Sequence, residues 1–194
     1  MFQPALLLAV LCLVVALLLA GTNELTKDPI ALQQKAAALE QMKKIYPEGE
    51  SFPVIVLTEE QTAAMAEKNI AAEQISTVEN AAGDVLGYVF ITSSRGYAGN
   101  VTATTGIDTK GRLIMVTATA ADDTPGLGKR VEEQGFLAQF SGFDSASLTS
   151  VTGEPGTQKI DSISGATISS KAASSAVNKA MGAYAYLQEE GLIK

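Results

Sequence analysis

The sequence contains no histidine and no tryptophan, and its one cysteine, Cys12, lies inside an apolar N-terminal run. Without histidine there can be no Ser-His-Asp triad and no imidazole ligand for a metal ion. A single cysteine also excludes an intrachain disulfide, a CxxC redox pair and a cysteine-ligated zinc or iron–sulfur centre. If this chain transfers electrons, it therefore needs an organic cofactor.

Basic residues are in the minority: 14 Lys and Arg stand against 21 Asp and Glu, which gives a net charge of −7. No basic stripe with interleaved aromatic side chains occurs, and this argues against binding to nucleic acid. We interpret the acidity as a feature of a soluble surface. The length of 194 residues suits one globular domain and a short additional segment.

The N-terminal run from Ala5 to Ala20 is apolar throughout. Its length is close to the minimum of about 17 residues for a tilted helix that spans a bilayer. No Lys or Arg precedes it, and the residues up to Gly21 fit a signal-peptidase site poorly. We therefore predict a transmembrane anchor in contact with lipid over residues 1–22, and a cleaved signal peptide is the alternative.

The charges near this run leave the orientation open. Lysines follow the apolar run and none precedes it, so the positive-inside rule alone would place the C-terminal part in the cytoplasm. Glu24, Asp28 and Glu40 are interspersed with the lysines and weaken that signal.

The next segment, from Asp28 to Ile45, has apolar residues at three- and four-residue steps, which is typical of an amphipathic helix. Pro47 and Gly49 predict its end. We predict a helical linker or packing helix over residues 23–50 and the main domain over residues 51–194.

The main domain combines alternating strand patterns with helical segments. Phe52 to Leu57 predicts a strand, and Thr58 predicts the cap of a helix. Further on, the pattern predicts two hairpins, a helix from Lys129 to Phe140 and a closing helix from about Ile168 to Gln188. The strands of the hairpins are Ile75–Glu79, Val85–Ser93, Val101–Ile107 and Arg112–Thr119. The predicted fold class is α+β, with a twisted antiparallel sheet and packed helices after the anchor.

Small residues lead directly into the closing helix, in the segment Ser164-Gly165-Ala166-Thr167. A helix N-terminus presents unpaired N–H groups and the positive end of a dipole, so it suits a phosphate group. Ser169 and Ser170 would add hydroxyl donors. No GxxxxGK motif occurs, so a nucleoside triphosphate site is not indicated. The alternative interpretation is an ordinary Ser/Thr N-cap.

The wider segment Asp161–Ser170 resembles the flavin-attachment motif of the FMN-binding domain family. Two more stretches resemble that family, the loop Thr124–Gly128 and the segment Gly96–Gly99, and the three occur in the family's order. Members often have His-x-Glu before the Thr-Pro-Gly-Leu-Gly loop. Here Ala121, Asp122 and Asp123 occupy those positions, so the histidine is absent and a shorter carboxylate is kept.

The resemblance implies that Thr167 carries a covalent FMN through a phosphoester, installed by a flavin transferase. It also implies a flavin site without catalytic residues of its own and without a metal. The other implied cofactor-binding residues are Ser164, Gly165, Ala166, Ile168, Ser169, Thr124, Pro125, Gly126, Leu127, Gly128 and Tyr97.

The family includes the G subunit of the Rnf electron-transport complex and the C subunit of the sodium-pumping NADH:quinone reductase. The short chain favours the first. The resemblance then implies an electron-transfer subunit of a membrane-bound ferredoxin:NAD oxidoreductase complex, with other membrane subunits as partners. The flavin domain would lie on the extracytoplasmic side of the cytoplasmic (inner) membrane. The alternatives are a stand-alone anchored flavoprotein, a sodium-pump subunit and an anchored binding module without a redox role.

Overall fold

The computed structural model describes residues 3–151 and 157–193. Residues 1–2 of the predicted anchor and residues 152–156 of the polar stretch before the closing helix lie outside the described residues. The chain divides into two compact units, Met1–Glu40 and Gln41–Lys194.

The first unit consists of the greater part of helix α1, which spans Gln3–Ile45. Within it, Leu8–Lys27 is long and apolar enough to cross a membrane, and a signal sequence near the N-terminus would meet the same criteria of length and composition. The described leucine and valine side chains of this stretch are exposed, as a lipid-facing helix requires. The predicted anchor and linker are thus one helix up to Ile45.

The second unit is built on a four-stranded antiparallel sheet in the order β1-β2-β3-β4. Both predicted hairpins are confirmed, and β2 pairs with β3 between them. Gly83 and Gly111 make the two hairpin turns with φ of 86° and 80°, a region that favours glycine. The strands are β1 (Gln74–Glu79), β2 (Val85–Arg95), β3 (Asn100–Asp108) and β4 (Leu113–Thr119).

The closing helix α4, Thr167–Glu189, covers one face of this sheet. Its buried side consists mostly of small residues, such as Ala173, Ala176 and Ala180, which allow the helix to approach the strands closely. Thr92 of β2 donates a hydrogen bond of 2.7 Å to the carbonyl oxygen of Ala176. The main core lies between α4 and the sheet, and Phe90 and Ile107 are fully buried there.

The opposite face of the sheet is covered by the end of α1. Met42, Ile45 and Tyr46 are buried. A Cβ atom on Gly106 would collide with Ile45, and one on Gly87 would collide with Tyr46, so the two glycines make room for these side chains. The compact unit therefore begins at Gln41, before the boundary at residue 51 that the sequence predicted.

Two predicted elements are wrong in detail. Phe52–Leu57 forms no strand: it contains one isolated bridge, Val54 with Ser76, and a second, Ser51 with Glu79, lies just before it. Pro53 has no N–H group, and the exposed Val54 and Val56 have no core to pack against.

The predicted helix Lys129–Phe140 is divided at Glu133, whose backbone is extended with ψ of 138°. The side chain of Glu132 accepts a hydrogen bond of 2.7 Å from the N–H of Ala120 and holds this segment against β4. The pieces are a 3₁₀ turn at Gly128–Glu132, helix α3 at Gln134–Leu137 and a second 3₁₀ turn at Ala138–Phe140.

The remaining elements are short. Helix α2 spans Glu59–Glu67 and begins with the predicted cap at Thr58, which exchanges two hydrogen bonds with Gln61. Strands β5 (Thr149–Ser150) and β6 (Gln158–Lys159) pair in parallel and were not predicted.

Candidate functional site

Helix α4 begins at Thr167, one residue before the predicted start, and its N-cap residue is Ala166. No side chain caps this helix end in the described part of the chain. The interpretation of the segment as an ordinary Ser/Thr cap is therefore wrong. The first-turn N–H groups have no partner within the helix and carry the positive end of its dipole.

The turn before α4 is held in one conformation. Gly165 has φ of 79°, and a Cβ atom on it would lie 3.1 Å from Cδ2 of Leu127. Ser170, fully buried, donates a hydrogen bond of 2.9 Å to the carbonyl oxygen of Ala166 and accepts one of 3.1 Å from the N–H of Ile163. Both features fix the path of the chain into Thr167.

A cavity of about 520 Å³ lies at this helix start. It brings together all three stretches that the sequence singled out, and its volume lies in the range of small-molecule and cofactor sites. Its lining residues are Tyr97, Asp123, Thr124, Leu127, Gly128, Gly165, Ala166, Thr167, Ile168 and Ser169.

The hydroxyl groups around the helix start differ in what they can offer a ligand. Ser169 and Ser170 are buried, and both donate their protons within the chain, to Asp123 and Ala166 respectively. The sequence predicted that both hydroxyl groups would be donors for a phosphate. Because their protons are already donated within the chain, that prediction is wrong. Thr167 is exposed, lines the cavity and makes no side-chain hydrogen bond among the described residues. Ser164 is also exposed but lies outside the lining.

Asp123 joins the walls of the cavity, although it is only 4% exposed. One carboxylate oxygen accepts a hydrogen bond of 2.9 Å from the N–H of Ala98, and the other accepts one of 2.6 Å from the hydroxyl of Ser169. Gly128 packs against the same carboxylate, where a Cβ atom would lie 2.5 Å from an oxygen. One side chain therefore connects all three stretches.

Three large apolar or aromatic side chains line the cavity and yet remain open to solvent. Tyr97 is 70% exposed, Leu127 is 46% exposed and Ile168 is 54% exposed. They offer a partly apolar surface on which a flat aromatic ligand can stack. Among the described residues no group of acidic or cysteine side chains could hold a metal ion.

Two family models match the chain. The FMN-binding domain matches residues 96–182, which contain all three stretches, and the RnfG N-terminal region matches residues 1–45. The G subunit of the Na⁺-translocating ferredoxin:NAD⁺ oxidoreductase complex of Acetobacterium woodii is 29% identical, over 97% of this chain and 93% of that protein. The G subunit of the ion-translocating oxidoreductase complex of Pseudomonas aeruginosa is 30% identical, over 93% of this chain and 87% of that protein.

The chain belongs to the RnfG family. This confirms the resemblance that the three stretches indicated.

A solved structure confirms the predicted α+β fold of this RnfG-family chain. The crystal structure of the C subunit of the Na⁺-translocating NADH-quinone reductase from Parabacteroides distasonis superimposes with a TM-score of 0.52. The match covers 72% of this chain and 78% of that one, at 19% identity, so it carries information on the fold alone.

The structure places most predicted site residues of the RnfG-family chain around one cavity. Pro125 and Gly126, like Ser164, are absent from the lining. Gly126 has φ of 76° and turns the loop so that Leu127 and Gly128 reach the cavity. Sequence reasoning did not include Asp123 in the site. The signal was present, because Asp123 occupies the position before Thr124 where the family often has Glu.

Proposed function

We propose that this chain is the flavin-carrying electron-transfer subunit of an Rnf-type ferredoxin:NAD oxidoreductase complex, with FMN joined by a phosphoester to Thr167. The observation that carries the proposal is the position of Thr167. Thr167 is an exposed residue in the wall of the cavity and at an uncapped helix N-terminus, and its hydroxyl makes no hydrogen bond among the described residues.

The start of α4 fits the phosphate of such a flavin. A phosphodiester keeps one negative charge, and the helix N-terminus stabilises a nearby anion by about 0.3–1 kcal/mol. Because the hydroxyl protons of Ser169 and Ser170 are donated elsewhere, the first-turn backbone N–H groups are the donors for this charge. Gly165 has no side chain, and a Cβ atom there would lie 3.1 Å from Cδ2 of Leu127, so the glycine keeps the cavity open beside Thr167.

The rest of the cavity fits the ring system. Leu127, Ile168 and Tyr97 supply surface for stacking, while Thr124 and the backbone of its loop supply polar groups for the ring edge. FMN, when bound, supplies transfer of one or two electrons. The chain itself binds and orients the cofactor, and no side chain acts as a catalytic acid or base.

The surroundings of Thr167 also suit enzymatic attachment. A flavin transferase must reach the acceptor hydroxyl, and Thr167 is exposed while Ser169 and Ser170 are buried. Covalent attachment prevents loss of the cofactor, which suits a domain on the extracytoplasmic side. We therefore place the flavin there, with the apolar part of α1 as a single-pass anchor.

Other membrane subunits would be the partners of this chain. The match to the RnfG N-terminal region supports an Rnf-type complex over both a stand-alone flavoprotein and a sodium-pump C subunit.

The attachment is tested by the intact mass of the protein coexpressed with a flavin transferase. We expect an FMN adduct on the wild type and none on Thr167→Ala. Ser164→Ala is the matched control, since it removes an exposed hydroxyl outside the cavity and should leave the adduct in place. An adduct that survives Thr167→Ala overturns the attachment site.

The sidedness is tested by cysteine labelling in a Cys12→Ser background. Glu190→Cys places a thiol at an exposed position near the end of α4. We expect a membrane-impermeant maleimide to reach it from the extracytoplasmic side. Labelling that requires disruption of the membrane would place the domain in the cytoplasm.

A further inference from the structure

The carboxylate of Asp123 is buried in the cavity wall without a cation. Among residues 3–151 and 157–193, no ion pair includes Asp123. Both of its oxygens act as acceptors, which is the pattern of an ionised carboxylate. Burial of such a group costs free energy unless hydrogen bonds offset the cost, and here the two donors, a backbone N–H and a hydroxyl, are neutral.

The contacts of this carboxylate fix its place relative to the cavity. Ala98 lies on the segment before β3, Ser169 lies in the first turn of α4, and Gly128 begins the 3₁₀ turn that follows the loop after Asp123. Because these three segments contact the carboxylate of Asp123, its position relative to the cavity is fixed. Because solvent barely reaches it, it is also screened less than a surface charge.

We propose that Asp123 lowers the reduction potential of the FMN bound in this cavity, through the negative charge that it holds in the cavity wall. The inference rests on the proposed function, because it requires a flavin at this site. It assigns Asp123 a role in addition to that of a link between the three stretches.

The direction of the expected change in reduction potential follows from the charge that the flavin gains on reduction. Oxidised isoalloxazine that takes up two electrons and one proton gains one negative charge. A carboxylate that lines the same cavity repels this added charge and disfavours the reduced form. The electrons come from a redox partner in the complex and from dithionite in a titration, and the proton comes from solvent.

The test is a potentiometric titration of the full-length, flavin-loaded protein with dithionite and mediator dyes. We expect Asp123→Asn to raise the midpoint potential, because it removes the charge and keeps the shape of the side chain. Asp122→Asn is the matched control, since it removes the same charge from the adjacent, exposed position. Asp122→Asn should shift the potential less, because solvent screens that residue. An equal shift in both variants, or a negative shift in Asp123→Asn, overturns the proposal.

Ser169→Ala provides a second variant, which decides the question if Asp123→Asn does not fold or does not accept flavin. It keeps the charge of Asp123 and removes one donor that offsets it. We expect a lower midpoint potential than in the wild type, opposite in sign to the effect of Asp123→Asn. An unchanged or higher potential contradicts the proposal.

The proposed function and the role of Asp123 fail under different results. A wild-type chain that carries no flavin after coexpression with the transferase defeats the proposed function, and the inference falls with it. If the wild type carries flavin but Asp123→Asn has the same midpoint potential as the wild type, only the inference about Asp123 is contradicted and the proposed function is not.

Discussion

The hydroxyl of Tyr46 donates a hydrogen bond of 2.7 Å to the carbonyl oxygen of Ile107, which lies 61 residues further along the chain in β3. Burial raises the pKa of Tyr46 above its usual range, and the nearby charge of Asp108 raises this pKa further. The phenol is therefore held in its neutral, donating form, and it attaches the end of α1 to the outer face of the sheet.

Tyr46→Phe should destabilise the folded domain. The substitution leaves the carbonyl oxygen of Ile107 without its side-chain donor in a buried position, and such a loss costs about 1–3 kcal/mol. Urea unfolding of residues 41–194 measures the difference. Tyr97→Phe is the control, because that side chain is largely exposed, and it should change stability by less than about 0.5 kcal/mol. Equal effects of the two substitutions would contradict the role of this bond.

The contribution of Tyr46 should also fade at alkaline pH. Its pKa is raised in the folded state, while a tyrosine in the unfolded chain ionises near pH 10. The stabilisation is thus complete below about pH 10 and is lost as the pH rises above that value. The stability gap between the wild type and Tyr46→Phe should narrow between about pH 10 and pH 11. Urea unfolding of both proteins across this pH range measures the difference in stability. A difference that increases with pH would contradict the predicted direction.

A chain that begins at residue 41 should be markedly more stable than one that begins at residue 51. The shorter chain lacks three buried side chains, Met42, Ile45 and Tyr46, and exposes the face of the sheet beneath them. Loss of even one large buried side chain costs about 2–5 kcal/mol. Thermal unfolding of the two chains measures the difference. Similar midpoints would show that the end of α1 contributes little.

The paired strands were predictable because alternation and turn glycines are local signals, and Gly83 and Gly111 stand between the strands they connect. The contact between α1 and the sheet was not predictable in the same way. The pattern from Asp28 to Ile45 indicates an apolar face, but its partner consists of space above Gly87 and Gly106 on neighbouring strands. Such a complementary surface exists only after β2 and β3 have paired.

The same distinction between local signals and contacts of distant segments applies to the residues of the candidate site. Thr167 could be singled out from the sequence because the motif that resembles the family's attachment segment and the start of α4 are adjacent in the chain, and its role stays a prediction. Asp123 was missed as a lining residue because its partners, Ala98 and Ser169, lie 25 and 46 residues away in the chain. The prediction of a strand at Phe52–Leu57 was wrong because the apolar residues of this segment suggested burial, whereas Val56 is almost fully exposed.

Gly165→Ala should impair flavin attachment more than Gly126→Ala. Both glycines have φ near 80°, so alanine costs about 1–2 kcal/mol of backbone strain at either position. Only at Gly165 would the new Cβ atom meet a neighbour, Cδ2 of Leu127 at 3.1 Å, in the cavity. The rate of FMN incorporation by a purified transferase separates the two effects. We expect a large decrease for Gly165→Ala alone, and equal rates would contradict a steric role for this contact.

Ser170→Ala should slow flavin attachment although Ser170 itself is inaccessible. Its hydroxyl braces the turn before Thr167 by bonding both Ile163 and Ala166, so alanine leaves the buried N–H of Ile163 unpaired, at a cost of about 1–3 kcal/mol. Ser174→Ala is the matched control, because Ser174 is also buried on α4 but bonds Thr149, away from the cavity. Both variants should lose stability in urea unfolding, whereas only Ser170→Ala should lower the rate of FMN incorporation under conditions where both are folded. If both variants incorporate FMN equally slowly, general loss of stability explains the effect, and a specific role of Ser170 in holding the turn before Thr167 is contradicted.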